Sequence, residues 1–344
     1  MPYKLPIPQS INYFWNFGSL IRITYTIQLI SRIILSLRYY AGTGTSSFNS
    51  VELIVREVDA RYIVRGLHLV RSQMIMLTIY LHIRRSLYFR RRANLPITLQ
   101  GAVILLITIG AAFLGYVLPW GQISFWGATV ITRFLGVLPI RQDILEWVWR
   151  GFTVRHPTLT RFFSLHYLLR LLIAPLSLLH IVLLHNEGSG RPLGDRNDYY
   201  LPFWPYYGIK DIWPAGILIS CIIIFTLFLR PETENLKNAN PIVTPTHIKP
   251  EWYFLMFYAI LRAVPSKVRR LLMILLSILV LVALLGARKN YSNSSTRTFL
   301  ASLFISTCIL LRLLRGKPVE EPFLTMSLLL SLFYFRLAAF IILA

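Results

Sequence analysis

Four of the seven histidines form two pairs with the same spacing. His68 and His82 lie fourteen residues apart, and so do His166 and His180. Fourteen residues turn an α-helix through about 1400°, within about 40° of four full turns, and advance it by about 21 Å. Each pair therefore points in one direction at two depths of its helix. Two such helices facing each other would bring one histidine from each together at both levels.

Paired imidazoles of this kind favour haem iron over zinc. Haem iron takes axial imidazole ligands, and cofactor sites in helical bundles are built from side chains on facing helices. Zinc would need four ligands at one point. A single histidine in a membrane helix is more often a hydrogen-bonded structural residue or part of a proton relay. The repeated spacing favours two stacked bis-imidazole sites and leaves the relay open as an alternative.

Glycines repeat the same interval. Gly101 and Gly115 are fourteen residues apart, and Gly18 is followed after fourteen residues by Arg32. A porphyrin edge that approaches a helix closely needs a position without a side chain. Small residues also serve ordinary helix packing in membranes, so the glycines support the haem interpretation only through the spacing they share with the histidines.

The composition requires that these elements lie in a membrane. The chain has 344 residues, of which 55% are hydrophobic and 15% charged, with a mean hydropathy of +0.57. Soluble domains carry about 25% charged residues, so a water-soluble enzyme is excluded. Residues 97–118 contain no charged side chain. We therefore predict a polytopic membrane protein, with no cleavable secretory signal because residues 1–12 lack a basic region followed by an apolar core.

The predicted fold class is all-α, with about eight transmembrane helices, the first four of which form a haem-binding four-helix bundle. Residues 1–210 would hold this bundle and an interfacial loop at 121–160. Residues 211–344 would form a C-terminal membrane region with a proline-rich loop at 231–270. The predicted spans are 17–37, 62–83, 97–117, 161–184, 212–229, 271–285, 299–314 and 323–343.

The charge balance does not indicate a nucleic-acid partner. The net charge is +22, yet many arginines stand inside apolar runs rather than on polar faces, as at Arg22, Arg71 and Arg336. Each charge inside a membrane would cost at least about 2.5 kcal/mol. The two cysteines, Cys221 and Cys308, lie in apolar segments and indicate neither a disulfide framework nor a zinc site.

Several longer strings accompany the histidine pairs, and with them the chain resembles the mitochondrial cytochrome b family. Members of this family are the two-haem membrane subunits of quinol:cytochrome c oxidoreductase, respiratory complex III. The resemblance covers nearly the whole chain. Its strings are Trp15-Asn16-Phe17-Gly18-Ser19, Gly115-Tyr116-Val117-Leu118-Pro119-Trp120-Gly121-Gln122, Ser124-Phe125-Trp126-Gly127-Ala128-Thr129-Val130-Ile131-Thr132 and His247-Ile248-Lys249-Pro250-Glu251-Trp252-Tyr253-Phe254.

The resemblance implies two haem b groups, each with two histidine ligands and an arginine that binds its propionates. His68 and His166 would ligate the low-potential haem near the positive side, and His82 and His180 the high-potential haem near the matrix side. Arg65 and Arg85 match the arginines that bind the haem propionates in the family. The planar guanidinium group suits this role because it can form two hydrogen bonds to one carboxylate. The haem-facing glycines would be Gly18, Gly101 and Gly115.

The resemblance also implies two quinone sites. At the quinol-oxidation site Glu251 would accept a proton, whereas without the flanking matches it would be interpreted as an exposed loop residue. The residues that match this pocket are Tyr116, Gly127, Pro250, Trp252 and Tyr253. The residues that match the quinone-reduction site are His185, Asp211, Ser189, Asn16 and Ser19.

The function implied is oxidation of ubiquinol at one membrane face and reduction of ubiquinone at the other, coupled to proton translocation. The implied partners are the Rieske iron–sulfur subunit, cytochrome c1 and other complex III subunits, in a dimer of the whole complex. The implied location is the mitochondrial inner membrane. A stand-alone di-haem quinone or ferric reductase would share the histidine pairs, and a transporter with a histidine relay is a third possibility.

Nine arginines depart from the family in one way, since relatives commonly have glycine there. Arg32 is the most serious, because it stands where a porphyrin-facing glycine is expected and its side chain would collide with a haem. We hypothesise that some codons translated here as arginine are read as, or edited to, glycine. The alternative is a remodelled haem pocket whose arginines pair with propionates or lipid phosphates. The nine are Arg22, Arg32, Arg61, Arg71, Arg84, Arg90, Arg150, Arg269 and Arg270.

Overall fold

Helices account for 80% of the residues that the structure describes. This computed structural model describes residues 5–57, 61–89, 95–137, 140–190, 192, 199–229, 232–245, 248, 250–286, 294–317 and 320–343. The helices in these ranges are α1 (Phe17–Ser36), α2 (Ser46–Arg56), α3 (Arg61–Tyr88), α4 (Leu95–Val117), α5 (Gln122–Arg133), α6 (Arg141–Trp149), α7 (His156–Glu187), α8 (Gly208–Phe228), α9 (Leu255–Ala263), α10 (Lys267–Gly286), α11 (Ser294–Arg315) and α12 (Phe323–Leu343).

All eight predicted spans coincide with helices, namely α1, α3, α4, α7, α8, α10, α11 and α12. Among the described residues, five segments are long and apolar enough to cross a membrane. They are Leu95–Val117, His156–Glu187, Phe203–Phe228, Thr298–Arg315 and Phe323–Leu343. The other three helices, α1, α3 and α10, carry several basic residues each. A multi-pass helical membrane protein is therefore confirmed, and the count of eight spans stays a prediction.

The start of α7 lies five residues before the predicted span, at His156. The backbone N–H of Arg155 donates to Oγ1 of Thr158 at 3.2 Å, and a proline stands in the first turn. A threonine that caps the helix in this way and a proline at its beginning both favour helix initiation. The extra turn places His166 in the interior of the helix, away from its frayed end.

The helices that carry the four histidines pack as two neighbouring pairs. Helix α1 packs along α3, which bears His68 and His82, and α4 packs along α7, which bears His166 and His180. Helix α8 packs against α3 and α1. Helices α9 to α12 surround a separate apolar cluster that includes the buried Phe304.

Both segments predicted as elaborated loops contain short helices. Residues 121–160 form α5 and α6, which are joined by a 2.9 Å hydrogen bond from Nε1 of Trp149 to Oγ1 of Thr132. Residues 231–270 hold 3-10 turns at Thr233–Leu236 and Trp252–Phe254, and then α9. The turn at Trp252–Phe254 presents the Pro-Glu-Trp-Tyr segment to the first helices.

A two-stranded antiparallel sheet is an addition to the all-α expectation. Strand β1 (Pro6–Pro8) pairs with β2 (Tyr200–Pro202), with Ile7 opposite Leu201. The hydroxyl of Tyr207 donates to the carbonyl oxygen of Pro8 at 2.8 Å. The sheet ties the start of the chain to the segment that enters α8.

Candidate functional site

Each of the three predicted haem-facing glycines lies against a histidine of the neighbouring helix. A Cβ atom at Gly18 would lie 3.7 Å from Cε1 of His82, and one at Gly101 would lie 3.4 Å from Cε1 of His180. At Gly115 the corresponding distance to Cε1 of His166 is 2.6 Å, which no side chain could occupy without movement. The shared interval of fourteen therefore reflects a real correspondence between glycines and histidines.

The histidines come together at two levels. His68 and His166 border the same cavity and are close enough to interact electrostatically. His82 and His180 interact in the same way at the other level. Each level thus combines one imidazole from α3 with one from α7.

The ring nitrogens suit iron ligation. Nδ1 of His166 lies 2.8 Å from the carbonyl oxygen of Ala111, and Nδ1 of His68 lies 3.0 Å from Oγ of Ser31. Such bonds orient a ligating histidine and leave its Nε2 for the metal. At the second level, Nδ1 of His82 and Nδ1 of His180 are buried with no hydrogen-bond partner among the described residues. The donor set therefore fits two bis-imidazole haems.

Neighbouring groups fit an anionic porphyrin and argue against zinc. Arg65 lines the cavity beside His68, and Arg85 lies within electrostatic reach of His82. Nε of Arg85 is buried with no hydrogen-bond partner among the residues that the structure describes, and its guanidinium stacks 5.0 Å from the ring of Trp15. The described part of the chain contains no group of three or more His, Cys, Asp or Glu side chains that could hold a metal ion.

One cavity of about 600 Å³ joins the His68–His166 level to the Pro-Glu-Trp-Tyr segment. Five of the six residues predicted for the quinol-oxidation site line it, namely Tyr116, Pro250, Glu251, Trp252 and Tyr253. Gly127 does not line it; this residue lies on α5, where an added Cβ atom would meet no atom of the described residues within 4 Å. The sequence-predicted carboxylate and the first imidazole pair therefore face the same cavity.

Glu251 is half-buried in this cavity rather than exposed. Burial raises the pKa of its carboxyl above the ordinary value, and the nearby Glu232 raises that pKa further. A hydrogen bond from Nε2 of Gln73, at 3.0 Å, acts in the opposite direction. A carboxyl whose pKa is moved towards neutral pH is suited to accept and release protons.

Helix α3 holds this segment through two residues that the sequence analysis missed. Gln73 donates to Glu251 and accepts a hydrogen bond from Nε1 of Trp252. Tyr80 donates from its hydroxyl to the carbonyl oxygen of Tyr253 at 2.7 Å. Gln73 and Tyr80 are seven residues apart and therefore lie on the same face of the helix. This spacing was the sequence feature that could have indicated that the two residues contact the same segment.

The second predicted quinone site is assembled only in part. Nδ2 of Asn16 donates to Oδ1 of Asp211 at 2.7 Å, and the hydroxyl of Ser19 donates to the carbonyl oxygen of Asn16 at 2.8 Å. His185 is exposed in the last turn of α7, and Ser189 is half-buried just beyond that helix. In the described ranges, neither of these two residues is hydrogen-bonded to Asn16 or Asp211.

Comparison with protein families decides the class of the chain. The family model described as Cytochrome b/b6/petB matches residues 3–188. The chain belongs to the cytochrome b/b6 family. A second model, Cytochrome b(C-terminal)/b6/petD, matches residues 238–335. The two matches cover the haem-level helices and the Pro-Glu-Trp-Tyr segment respectively.

A solved structure extends the cytochrome b/b6 comparison to the whole fold. The chain is similar to a chain of a structure titled "Hyperthermophilic respiratory Complex III", with 27% sequence identity and a TM-score of 0.90. The similarity covers 98% of this chain and 93% of the other. Cytochrome b is the redox subunit of such a complex, so an oxidoreductase of the respiratory chain is supported.

Two of the nine arginines that depart from the family, Arg32 and Arg71, are buried, which is rare for a charged side chain. Arg32 is 6% exposed, and Nη1 of Arg32 donates to the carbonyl oxygen of Tyr167 at 3.0 Å. Arg71 is 7% exposed and donates from Nη1 to the carbonyl oxygen of Ile27 at 2.7 Å. The Nε atoms of both are buried without partners among the described residues. Arg90 and the side chain of Arg61 lie outside the described residues.

Proposed function

We propose that this chain is the electron-transfer subunit that oxidises quinol at one membrane face and reduces quinone at the other, with net proton translocation. The observation that carries the proposal is the cavity shared by His68, His166 and Glu251. A cavity of this kind lets a substrate meet a proton acceptor and an electron acceptor in one place. Two haem b groups, when bound, supply one-electron oxidation and reduction.

The haems would be held by residues of the two helix pairs. His68 and His166 would ligate the low-potential group, and His82 and His180 the high-potential one. Gly18, Gly101 and Gly115 keep the facing helices open beside these histidines. Arg65 and Arg85 would neutralise propionates, as guanidinium groups do for carboxylates.

At the quinol-oxidation site, Glu251 would accept a proton from the quinol hydroxyl. Its position in the cavity and its raised pKa support this role, since a base works best when its pKa lies near the working pH. Tyr116, Pro250, Trp252 and Tyr253 would shape the pocket, and Gly127 would contribute from a neighbouring element.

At the quinone-reduction site, Asp211 would provide protons. Asn16 and Ser19 would orient it, as their hydrogen bonds in the structure support. His185 and Ser189 complete the set that resembles the family. For these two residues the resemblance is the only support.

We further propose that the chain works in the mitochondrial inner membrane with ubiquinol as substrate. Its partners would be a Rieske iron–sulfur subunit, cytochrome c1 and other complex III subunits, in a dimer of the complex. The likeness to a respiratory Complex III chain over 98% of the sequence supports such an assembly. Residues 1–210 would form the haem-binding unit and residues 211–344 the C-terminal membrane region.

The test is a reduced-minus-oxidised absorption spectrum of the purified protein with two single variants. We expect two b-type components, one lost in His68→Leu and the other in His82→Leu. Absence of b-type bands in the unmodified protein would exclude both haem functions and favour a histidine relay. Quinone or ferric reduction that persists after removal of partner subunits would instead favour a stand-alone di-haem reductase.

A further inference from the structure

The side chain of Gln73 joins two adjacent residues of the Pro-Glu-Trp-Tyr segment. Its Nε2 donates to Oε2 of Glu251 at 3.0 Å, and its Oε1 accepts from Nε1 of Trp252. Gln73 also lines the cavity that Glu251 faces. Both ends of one amide are therefore occupied by residues that lie 178 and 179 positions further along the chain.

The hydrogen bond from Trp252 determines which end of the Gln73 amide faces Glu251. Because the indole N–H of Trp252 occupies the amide oxygen of Gln73, the amide must present its N–H group to Glu251. An N–H donor favours the charged form of a carboxyl, which is an acceptor only. The bond to Trp252 thus keeps Gln73 in the one orientation that stabilises the carboxylate.

We propose that Gln73 is a positioning residue for quinol oxidation, which holds the carboxylate of Glu251 in the cavity and favours its charged, proton-accepting form. The inference rests on the proposed function for its role in turnover. The hydrogen-bond arrangement itself does not depend on that function.

The charged and titratable groups around Glu251 leave this role to Gln73. Glu232 opposes the charge of Glu251, and the phenols of Tyr116 and Tyr253 lie within electrostatic reach. Burial and the charge of Glu232 raise the pKa of Glu251, whereas the hydrogen bond from Gln73 lowers it. The remaining charged or titratable groups that line the cavity are Arg32, Tyr39, Arg65, His68, His166, Tyr167, Arg170 and Arg315.

Tyr80 separates this role from simple attachment of the segment. It holds the same segment through the backbone of Tyr253 and makes no hydrogen bond to Glu251. Loss of Gln73 therefore removes the donor to the carboxylate while one anchor of the segment remains. The expected effect is a change in the titration of Glu251, not detachment of the segment.

The experiment measures the titration of Glu251 in the purified complex for Gln73→Met, which keeps the length of the side chain and removes its hydrogen bonds. Infrared difference spectra report the protonated carboxyl, assigned as the band that Glu251→Gln removes. Loss of this hydrogen bond removes a donor that favours the charged carboxylate, so the midpoint should rise by about one to two pH units. In the pH profile of quinol oxidation, the midpoint of the acid limb should move to higher pH by the same amount.

Gln142 provides a matched control, because its Nε2 donates to Oε1 of Glu146 at 3.1 Å at an exposed position on helix α6. Gln142→Met should leave both midpoints in place. An unchanged infrared midpoint in Gln73→Met overturns the proposal. If Gln73→Met does not fold, Gln73→Asn is held to the same criterion. A complex that binds haem but does not oxidise quinol contradicts the proposed function, and the infrared midpoint alone then decides the role of Gln73.

Discussion

Arg32 donates a 3.0 Å hydrogen bond to the carbonyl oxygen of Tyr167, the residue that follows His166. Its guanidinium also stacks 4.2 Å from the ring of Tyr167. Three glycines face three of the histidines, and Arg32 stands at the fourth position of that pattern, one residue after Ser31, which contacts His68. A buried guanidinium whose Nε has no hydrogen-bond partner within the described ranges costs free energy at this position.

The hypothesis that certain arginine codons are decoded or edited to glycine predicts the peptide masses of the mature protein. We expect glycine at positions 22 and 32, so that trypsin cleaves after neither position and both stay in one peptide that ends at Arg38. Tandem mass spectrometry of the purified subunit across residues 22–38 measures this directly. Arginine at both positions would refute the hypothesis and point to a remodelled haem pocket.

Arg150 lies in a backbone conformation that favours glycine. It ends α6 with φ 54° and ψ 45°, in the left-handed region where a side chain costs about 1–2 kcal/mol and glycine costs little. If the protein carries arginine there, Arg150→Gly should raise the free energy of unfolding by about 1 kcal/mol. Thermal denaturation of the solubilised protein measures the change. Arg150→Ala, which also removes the charge but keeps Cβ, should show no such gain.

Gly115→Ala should disturb the first histidine level. The new methyl group would lie 2.6 Å from Cε1 of His166 and would displace a ring that is hydrogen-bonded to Ala111. We expect loss of most of the absorbance of the haem component that His68→Leu also removes. Gly127→Ala is the control, since nothing lies within 4 Å of a Cβ at that position. Equal spectra for the two variants would contradict the assignment.

Glu251→Gln should slow quinol oxidation by at least about a hundredfold, the ordinary contribution of a positioned acid or base. Both haem components should remain, because among the described residues the carboxylate of Glu251 is hydrogen-bonded to Gln73 and to none of the four histidines. In the unmodified protein the carboxylate must be charged to accept a proton, so the rate should fall as the pH falls through its raised pKa. Stopped-flow reduction of haem by quinol measures both effects. Unchanged turnover would remove Glu251 from the proton pathway.

Glu232→Gln should move the acid limb in the direction opposite to Gln73→Met. The negative charge of Glu232 raises the pKa of Glu251, so its removal should shift the limb to lower pH. The shift should be small and should shrink at high salt, since Glu232 is exposed and solvent ions screen its charge. A shift to higher pH would show that the two carboxyls are coupled by another route.

Helix periodicity was sufficient to predict the histidine levels. The interval of fourteen places His68 with His82, and His166 with His180, on single helix faces, and the glycine interval correctly indicated which positions face them. These relations follow from the geometry of individual helices, so sequence alone contains them.

Contacts between distant segments were not accessible in this way. The bond between Gln73 and Glu251 spans 178 residues, and a single glutamine in an apolar helix does not reveal its partner. The pairing of β1 with β2 was missed because each strand has three residues and both contain proline, which normally disfavours strands. Resemblance placed Gly127 in the quinol pocket, whereas the cavity does not reach it.

Helix α3 is continuous over 28 residues and carries His68, Gln73, Tyr80 and His82. The separation between the iron ligands and the residues that hold the Pro-Glu-Trp-Tyr segment is consequently set by the helical rise of about 1.5 Å per residue. Inserting or deleting one residue here would rotate every group beyond it by about 100°. Residues 68–82 can therefore accept substitutions between the functional positions. An insertion or deletion among them would separate the iron ligands from the residues that hold the Pro-Glu-Trp-Tyr segment.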